Sequence, residues 1–456
     1  MAEAPRAVLL EEIRSALVIG LGASGLAAAR LLVDRGVDVV LADDDPARRT
    51  DVPGARVHAG RPEELDPTQF DLVVPSPGVP ERAPLLQRAL AADLPVWSEP
   101  ELAWRVRPTP LVGITGTNGK TTVTTLVADM LDRSGINAVA CGNIGQPMAD
   151  VVADLVDSAD VPVLVAELSS FQLRFAHALT PSVAVVLNVA EDHLDWHGSF
   201  EAYAMAKARL LQNVGPDAPV VVGPDDVARQ VVEDAGVVPI ETSADGPVAR
   251  GVGVADGWLV AWPDAVRLVD VARLPSRAPH VIANAAVSAA AARVQGASDE
   301  GIRAALEAWR IGPHRMEVVA RQGGVTWIDD SKATNVHATI AALDSADSIV
   351  WVAGGQAKGT DLRPLGGHLG GVRYAVLLGE SADALAAICE TSTVPVARAG
   401  TMQQAVAMAA DVARPGDVVL LSPAGASFDL FDGYADRGDQ FAAAVRRLLE
   451  AQGERT

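Results

Sequence analysis

The chain has 456 residues, 49% hydrophobic and 21% charged, enough for two to three domains that each bury a core. A formal net charge of -21 excludes general affinity for nucleic acid or an anionic membrane, because both demand a basic surface. Two cysteines, Cys141 and Cys389, are too few for a disulfide framework and too distant for a zinc knuckle, which places the chain in a reducing compartment, the cytoplasm.

In chain order, the apolar runs from Ala16 to Ile19, Val37 to Ala42 and Leu72 to Val74 alternate with helical stretches, the pattern of a parallel sheet. The stretch from Ala16 to Ala29 is too short to span a bilayer and holds Gly20, Gly22 and Gly25, so it reads as strand, turn and helix; no targeting or membrane-inserting segment is found. Gly20-Leu21-Gly22-Ala23-Ser24-Gly25 fits GxGxxG, with Asp43 closing the next strand at about the dinucleotide spacing. Glycines and a helix start suit any phosphate, so a dinucleotide, another nucleotide such as a nucleotide sugar, or a structural turn all stay open. Ser76-Pro77-Gly78 after the third run is either a loop reaching the same crevice or a plain turn.

Arg107-Pro108-Thr109-Pro110 reads as a linker into a second βα series, whose first strand runs from Leu111 to Ile114. The segment from Gly113 to Thr121 then lies between that strand and a helix reaching about Ser134. This is a variant phosphate loop, with Ile114 where the strict pattern has glycine. Backbone N–H groups of Gly116, Thr117, Asn118 and Gly119 cradle phosphate, the Lys120 ammonium adds a point charge, and the Thr121 hydroxyl, followed by Thr122, suits Mg²⁺. Glu167, closing a strand from Val163 to Ala166, is either a hard-oxygen ligand for that ion or a helix-capping acid. The strand from Val183 to Leu187 runs into Asn188, Glu191, Asp192, His193 and Asp195, where His193 is either a metal or substrate ligand or a structural hydrogen-bonder. Lys207, in a helix from Glu201 to Leu211, is either a solvated helix-face lysine or a functional one.

The segment from Ala255 to Val271 alternates like an exposed antiparallel excursion, and two helices follow, from Val281 to Val294 and on to Arg310. Gly312-Pro313 then marks a boundary, after which strands from Val325 to Ile328, Ile349 to Ala353, Tyr374 to Leu378 and Val418 to Leu421 build a third α/β region. The domains expected are therefore 1–107, 108–311 and 312–456: a Rossmann-like first domain, a P-loop ATPase-like central domain with a mostly parallel sheet, and a Rossmann-like C-terminal domain.

Only four lysines occur, Lys120, Lys207, Lys332 and Lys358, against 37 lysines and arginines together. An arginine bias explains the shortage but not the positions that remain: a phosphate loop needs a compact ammonium, and a carbamate forms only on an amine that can lose its proton.

The motifs GITGTNGKTT, AELSSFQL, LNVAEDHLDWH, AMAKARL, GPHR, DDSKATN and LLSPAGASFD stand in this order. With them the chain resembles the Mur ligases over nearly its whole length. The Rossmann-like first domain together with DDSKATN, from Asp329 to Asn335, points to the D-glutamate-adding branch. The resemblance implies ATP-dependent joining of D-glutamate to UDP-N-acetylmuramoyl-L-alanine: the acceptor carboxylate takes the γ-phosphoryl group, and the amine displaces phosphate from the acyl phosphate. It implies ATP and two Mg²⁺ as cofactors and a monomeric enzyme. Lys120, His193 and Lys207 become catalytic, with Thr121, Glu167, His193 and carbamylated Lys207 as metal ligands. Asn284, Arg315 and Asp330 join the phosphate loop in holding ATP, while Gly22, Ser24, Asp43, Ser76, Gly78 and Asn143 hold the UDP-sugar. Lys332, Thr334, Lys358, Ser427 and Tyr434 take D-glutamate. Val281, Gln356 and Tyr434 depart from the family pattern. The rival readings are another Mur-type or folylpolyglutamate-type ligase, and a nucleotide-binding regulatory protein.

Overall fold

The computed structural model describes residues 10–47, 50, 52–155, 158–215 and 217–453. They fall into two compact units, Met1–Val189 with Glu201–Trp309, and Ala190–Phe200 with Arg310–Thr456.

The first unit opens with β1 Ser15–Ile19, β2 Asp38–Asp43, β3 Arg56–Ala59 and β4 Leu72–Pro75, paired in parallel in the order β3-β2-β1-β4. The residues of β1 from Ala16 to Val18 are fully buried, as a parallel strand covered on both faces should be. Gly20 leaves β1 with φ of 90°, and a Cβ on Gly25 would stand 2.1 Å from the Gly20 carbonyl oxygen, so the helix Ala23–Val33 packs on this turn only because Gly25 lacks a side chain.

The central sheet is wholly parallel: β5 Leu111–Thr115, β6 Ala138–Gly142, β7 Val163–Glu167, β8 Val183–Val186 and β9 Val220–Val222, in the order β6-β7-β5-β8-β9. β5 lies in the middle, with β7 on one side and β8 on the other. The loops leaving the carboxyl ends of these three strands therefore converge at a switch point, where doubly wound sheets bind ligands.

A third sheet follows, with β10 Glu241–Thr242, β11 Gly251–Ala255, β12 Trp258–Trp262 and β13 Val266–Asp270 in sequential order, antiparallel from β11 to β13. The expectation of an exposed excursion here is corrected. Leu259, Ala261, Leu268 and Val269 are buried in one cluster with the alanines of helix Pro279–Val294 and with Ile302 and Leu306 of helix Asp299–Ala308. The alternation marks one face covered by helices rather than two faces in water.

The second unit holds β14 Glu317–Gln322, β15 Val325–Asp329, β16 Ile349–Gly354, β17 Val372–Leu378, β18 Val396–Arg398 and β19 Val418–Leu421, in the order β14-β15-β19-β16-β17-β18. Only β14 runs antiparallel to its neighbour. β16 is buried along its whole length, and Trp351 within it donates from its indole nitrogen to Ser422 O at 2.8 Å.

Of the strands the sequence does not announce, β3, β6, β9, β10, β14 and β18 lie at the edges of their sheets, while β11, which ends where the alternating segment at Ala255 begins, is internal. An edge strand is short or half-solvated and needs no continuous apolar run.

Candidate active site

The loop from β5 to helix Lys120–Asp132 is gripped from β8's end. Asn188 Oδ1 accepts from the N–H groups of Thr117 and Asn118 at 3.1 and 2.8 Å, and Asn188 Nδ2 donates to Asn118 O at 3.1 Å. Gly119 caps the helix with φ of 86°, and a Cβ there would meet Asn284 Oδ1 at 2.6 Å, so both backbone and space require glycine. Asn284, from helix Pro279–Val294, thus stands directly beside the loop. Lys120 Nζ donates to Gly116 O at 2.8 Å and Thr117 O at 3.0 Å.

The register that pairs Ile114 with Glu167 brings the end of β7 alongside the loop. Glu167 is 3% exposed, and its carboxylate accepts from Thr121 Oγ1 at 2.8 Å and from Asn143 Nδ2 at 2.9 Å. One acid therefore joins an expected ATP residue to an expected sugar-binding residue. Two hard oxygens at the first turn after a phosphate loop suit a Mg²⁺ ion held on phosphate. Thr122 follows in the same helical turn.

Lys207 belongs to helix Phe200–Ala208 but is no solvated face residue: it is 1% exposed. Its Nζ donates to Gly116 O at 2.7 Å and lies 4.5 Å from the centroid of the Tyr203 ring. Tyr203, one helical turn earlier and also buried, shares a hydrogen bond of 2.9 Å with Thr117 Oγ1. Lys120 and Lys207 therefore address the same carbonyl of the loop. Carbamylation of Lys207 would replace the second positive charge at that point by a negative one. Asn188 and Tyr203 are site residues that the sequence reading left without a role. The available signals were an Asn directly after a strand beside a phosphate loop, and a Tyr four positions before a rare lysine.

In the first sheet, Asp43 Oδ2 accepts from Leu21 N at 2.8 Å and Oδ1 from Asp45 N at 3.0 Å, while Ser76 Oγ donates to Gly20 O at 2.7 Å. Asp43 and Ser76 thus shape the glycine turn from either side. Ser24 is partly exposed, and Gly22 and Gly78 are exposed with no atom within 4 Å of where their Cβ atoms would lie, which leaves the backbone open to a ligand.

In the second unit, the His193 segment packs with the residues expected to take the amino acid. Asp192, 6% exposed, accepts from His193 N at 2.9 Å and Asn335 Nδ2 at 3.3 Å, and lies 3.4 Å from Lys358 Nζ. His193 itself has φ of 54° at the start of the turn Leu194–His197. Lys332 Nζ sits 3.6 Å from the centroid of the Tyr434 ring, and Thr334 donates its N–H to Lys332 O at 2.9 Å. Ser427 is buried, and its carbonyl accepts from the N–H groups of Leu430 and Phe431. Asp330 accepts from Met316 N and Ser422 Oγ, both at 3.1 Å. Burial pushes its carboxyl up to about 7, those two hydrogen bonds opposing the rise, and Arg315 also holds it down. Next to it, Asp329 accepts from Ser331 N at 2.9 Å and pairs with His314 Nδ1 at 2.7 Å, and burial raises its carboxyl too.

Three family descriptions match the chain. Residues 14–98 match "Mur ligase MurD-like, N-terminal domain", residues 114–256 "Mur ligase middle domain", and residues 314–425 "Mur ligase, glutamate ligase domain". A Frankia casuarinae protein named UDP-N-acetylmuramoylalanine--D-glutamate ligase is 46% identical over 449 residues, 94% of this chain and 93% of that protein. A Mycolicibacterium smegmatis protein of the same name is 41% identical, across 95% of this chain and 96% of that one. Among solved structures, the MurF ligase of Thermotoga maritima in complex with ADP matches with a TM-score of 0.58 at 17% identity, covering 97% of each chain. UDP-N-acetylmuramate-alanine ligase MurC of the same organism matches with a TM-score of 0.56 at 17% identity, covering 96% of this chain and 100% of that one.

Proposed function

Because this chain belongs to the Mur ligase family, we propose that it joins D-glutamate to UDP-N-acetylmuramoyl-L-alanine at the expense of ATP, releasing ADP and phosphate in peptidoglycan precursor synthesis. The observation that carries the chemistry is the burial of the Lys207 amine against the phosphate-loop carbonyl of Gly116, in the same unit as the Thr121–Glu167 pair. Phosphoryl transfer needs electrostatic clamping rather than a protein nucleophile, which the loop N–H groups, the Lys120 ammonium and the ions these side chains would hold supply.

In this reading the backbone of Gly116 to Gly119 and the Lys120 ammonium hold the transferred phosphoryl group, and Thr122, Asn284, Arg315 and Asp330 bind the nucleotide. Thr121 and Glu167 hold one Mg²⁺; Lys207, as a carbamate, and His193 are ligands of a second. The ions neutralise phosphate charge when bound. Asn143, fixed by Glu167, meets the sugar end, while Gly22, Ser24, Asp43, Ser76 and Gly78 hold the uridine diphosphate. Lys332, Thr334, Lys358, Ser427 and Tyr434 receive D-glutamate, whose two carboxylates suit ammonium and hydroxyl partners. We assign these tasks to domains 1–107, 108–311 and 312–456 of a monomeric cytoplasmic enzyme. No helix among the described residues is long and apolar enough to cross a membrane.

The test is phosphate release from ATP in the presence of UDP-N-acetylmuramoyl-L-alanine and a panel of amino acids. Release with D-glutamate is expected. Release with L-glutamate in its place would overturn the amino-acid assignment.

A further inference from the structure

Helix Glu99–Val106 carries Glu101, which is 0% exposed and whose side-chain hydrogen bonds, among the described residues, go to Arg105 and the turn at 177–179. Its carboxylate accepts from the N–H groups of His177 at 2.9 Å, Ala178 at 2.8 Å and Leu179 at 3.0 Å, and from Arg105 Nε at 2.7 Å. Three successive N–H groups of the turn at 176–179, those of His177, Ala178 and Leu179, therefore go to one buried acid, while Ala176 N donates to Leu173 O. The turn's acceptors go elsewhere. Ala176 O accepts from Arg209 Nε and Gln212 Nε2, both at 3.2 Å, and His177 O accepts from Gln212 Nε2 at 2.6 Å and Asn213 Nδ2 at 2.7 Å.

Arg209 opens the short 3₁₀ turn Arg209–Leu211, which continues the Lys207 helix without a break. Its Nη2 also donates to His177 Nδ1 at 3.1 Å, while His177 Nε2 bonds Val96 O at 3.1 Å. A guanidinium only donates and a carbonyl only accepts, so the ring is neutral and carries its proton on Nε2. Burial first and the Arg209 charge second lower the imidazole's pKa, in agreement with that state.

We propose that Glu101 and Arg209 are positioning residues for Lys207, acting from opposite sides of the turn at 176–179. The inference rests on Lys207 being a reacting-site group. A carboxylate satisfying three successive backbone donors fixes that turn in space, and the three side chains on its carbonyls fix the end of the Lys207 helix in turn. The result is a rigid bridge from the helix at 99–106 to the amine at Gly116 O. A displacement of about 1 Å at such a group is enough to cost on the order of a hundredfold in rate.

The presence of only four lysines makes a direct test practical. Protein labelled with ¹³C at lysine Cε gives one signal per lysine, and Lys207→Arg assigns the one in question. Glu101→Gln and Arg209→Gln are each expected to shift the Lys207 signal while those of Lys332 and Lys358 stay in place. In phosphate release kcat is expected to fall about ten- to a hundredfold, with KM for ATP within about twofold. Folded variants with an unmoved Lys207 signal and unchanged kcat would overturn the proposal, as would a shift of all four signals together. If Glu101→Gln does not fold, Arg209→Gln decides. Full activity of Lys207→Arg would retire the role given to Lys207 above, and the signal comparison would still decide the bridge.

Discussion

Replacing Glu99 by Gln should change how the stability of this protein depends on pH. Glu99 opens the helix Glu99–Val106, is 1% exposed, and accepts from Ala149 N at 2.5 Å; its Oε2 has no hydrogen-bond partner among the described residues. Burial pushes its carboxyl from 4.5 up to about 8, with the Ala149 N–H opposing and the Asp150 charge adding. In the unfolded chain the proton leaves near 4.5, whereas the folded chain keeps it to about 8. Between those values folding takes up a proton, so this group's contribution is fully present below 4.5, is lost as pH rises, and stays lost above 8. At about 1.36 kcal/mol per unit, the loss reaches roughly 5 kcal/mol. Gln can still accept from Ala149 N but does not titrate. Its amide nitrogen, placed where Oε2 has no partner, adds a constant cost of about 1–3 kcal/mol. The slope is therefore diagnostic and the offset is not. Urea-unfolding midpoints of wild type and Glu99→Gln, followed from about pH 5 to pH 8.5 at fixed ionic strength, should diverge in the variant's favour by several kcal/mol. Parallel curves would show that Glu99 is not the titrating group and that the reasoning from its burial is wrong.

Lys207→Arg should abolish phosphate release with little loss of thermal stability, and wild-type protein in ¹³C-bicarbonate should show a carbamate signal that the variant lacks; a fully active variant would remove the carbamate. Asn188→Ala deletes the acceptor for Thr117 N and Asn118 N, so ATP affinity measured by calorimetry should fall by about 1–3 kcal/mol, and an unchanged affinity would mean the loop holds itself. Tyr203→Phe removes only the hydroxyl on Thr117 Oγ1, so stability should drop by about 1 kcal/mol while the ring beneath Lys207 remains and activity persists. Complete inactivity of Tyr203→Phe would assign that hydroxyl a task in the reaction.

The central strands were legible because burial on both faces writes them as apolar runs: β1, β5, β7, β8, β16 and β19 all lie inside their sheets or beside the strand that leads to the loop. The phosphate loop was legible because its glycines answer local demands, a left-handed φ at Gly119 and the space taken by Asn284. Lys207 stayed ambiguous for the opposite reason. Its partner, the Gly116 carbonyl, lies 91 residues away, and neighbours one helical turn off cannot report it. Asn188, visible only as part of a polar loop, and Tyr203 lack a role in the sequence for the same reason, since each acts on a loop about 70 to 86 residues distant. Asp43 was read from spacing alone, and the structure adds that both its oxygens hold backbone N–H groups at the glycine turn and the bend after β2.

The sharpest test follows an oxygen atom. With ¹⁸O in the carboxylate of UDP-N-acetylmuramoyl-L-alanine, transfer of the γ-phosphoryl group to that carboxylate and displacement by D-glutamate should leave one ¹⁸O in each phosphate released, measured by mass spectrometry. Phosphate free of the label, alongside amide product, would contradict a clamp built on Lys120, Thr121, Glu167 and Lys207 to pass phosphate onto an acid.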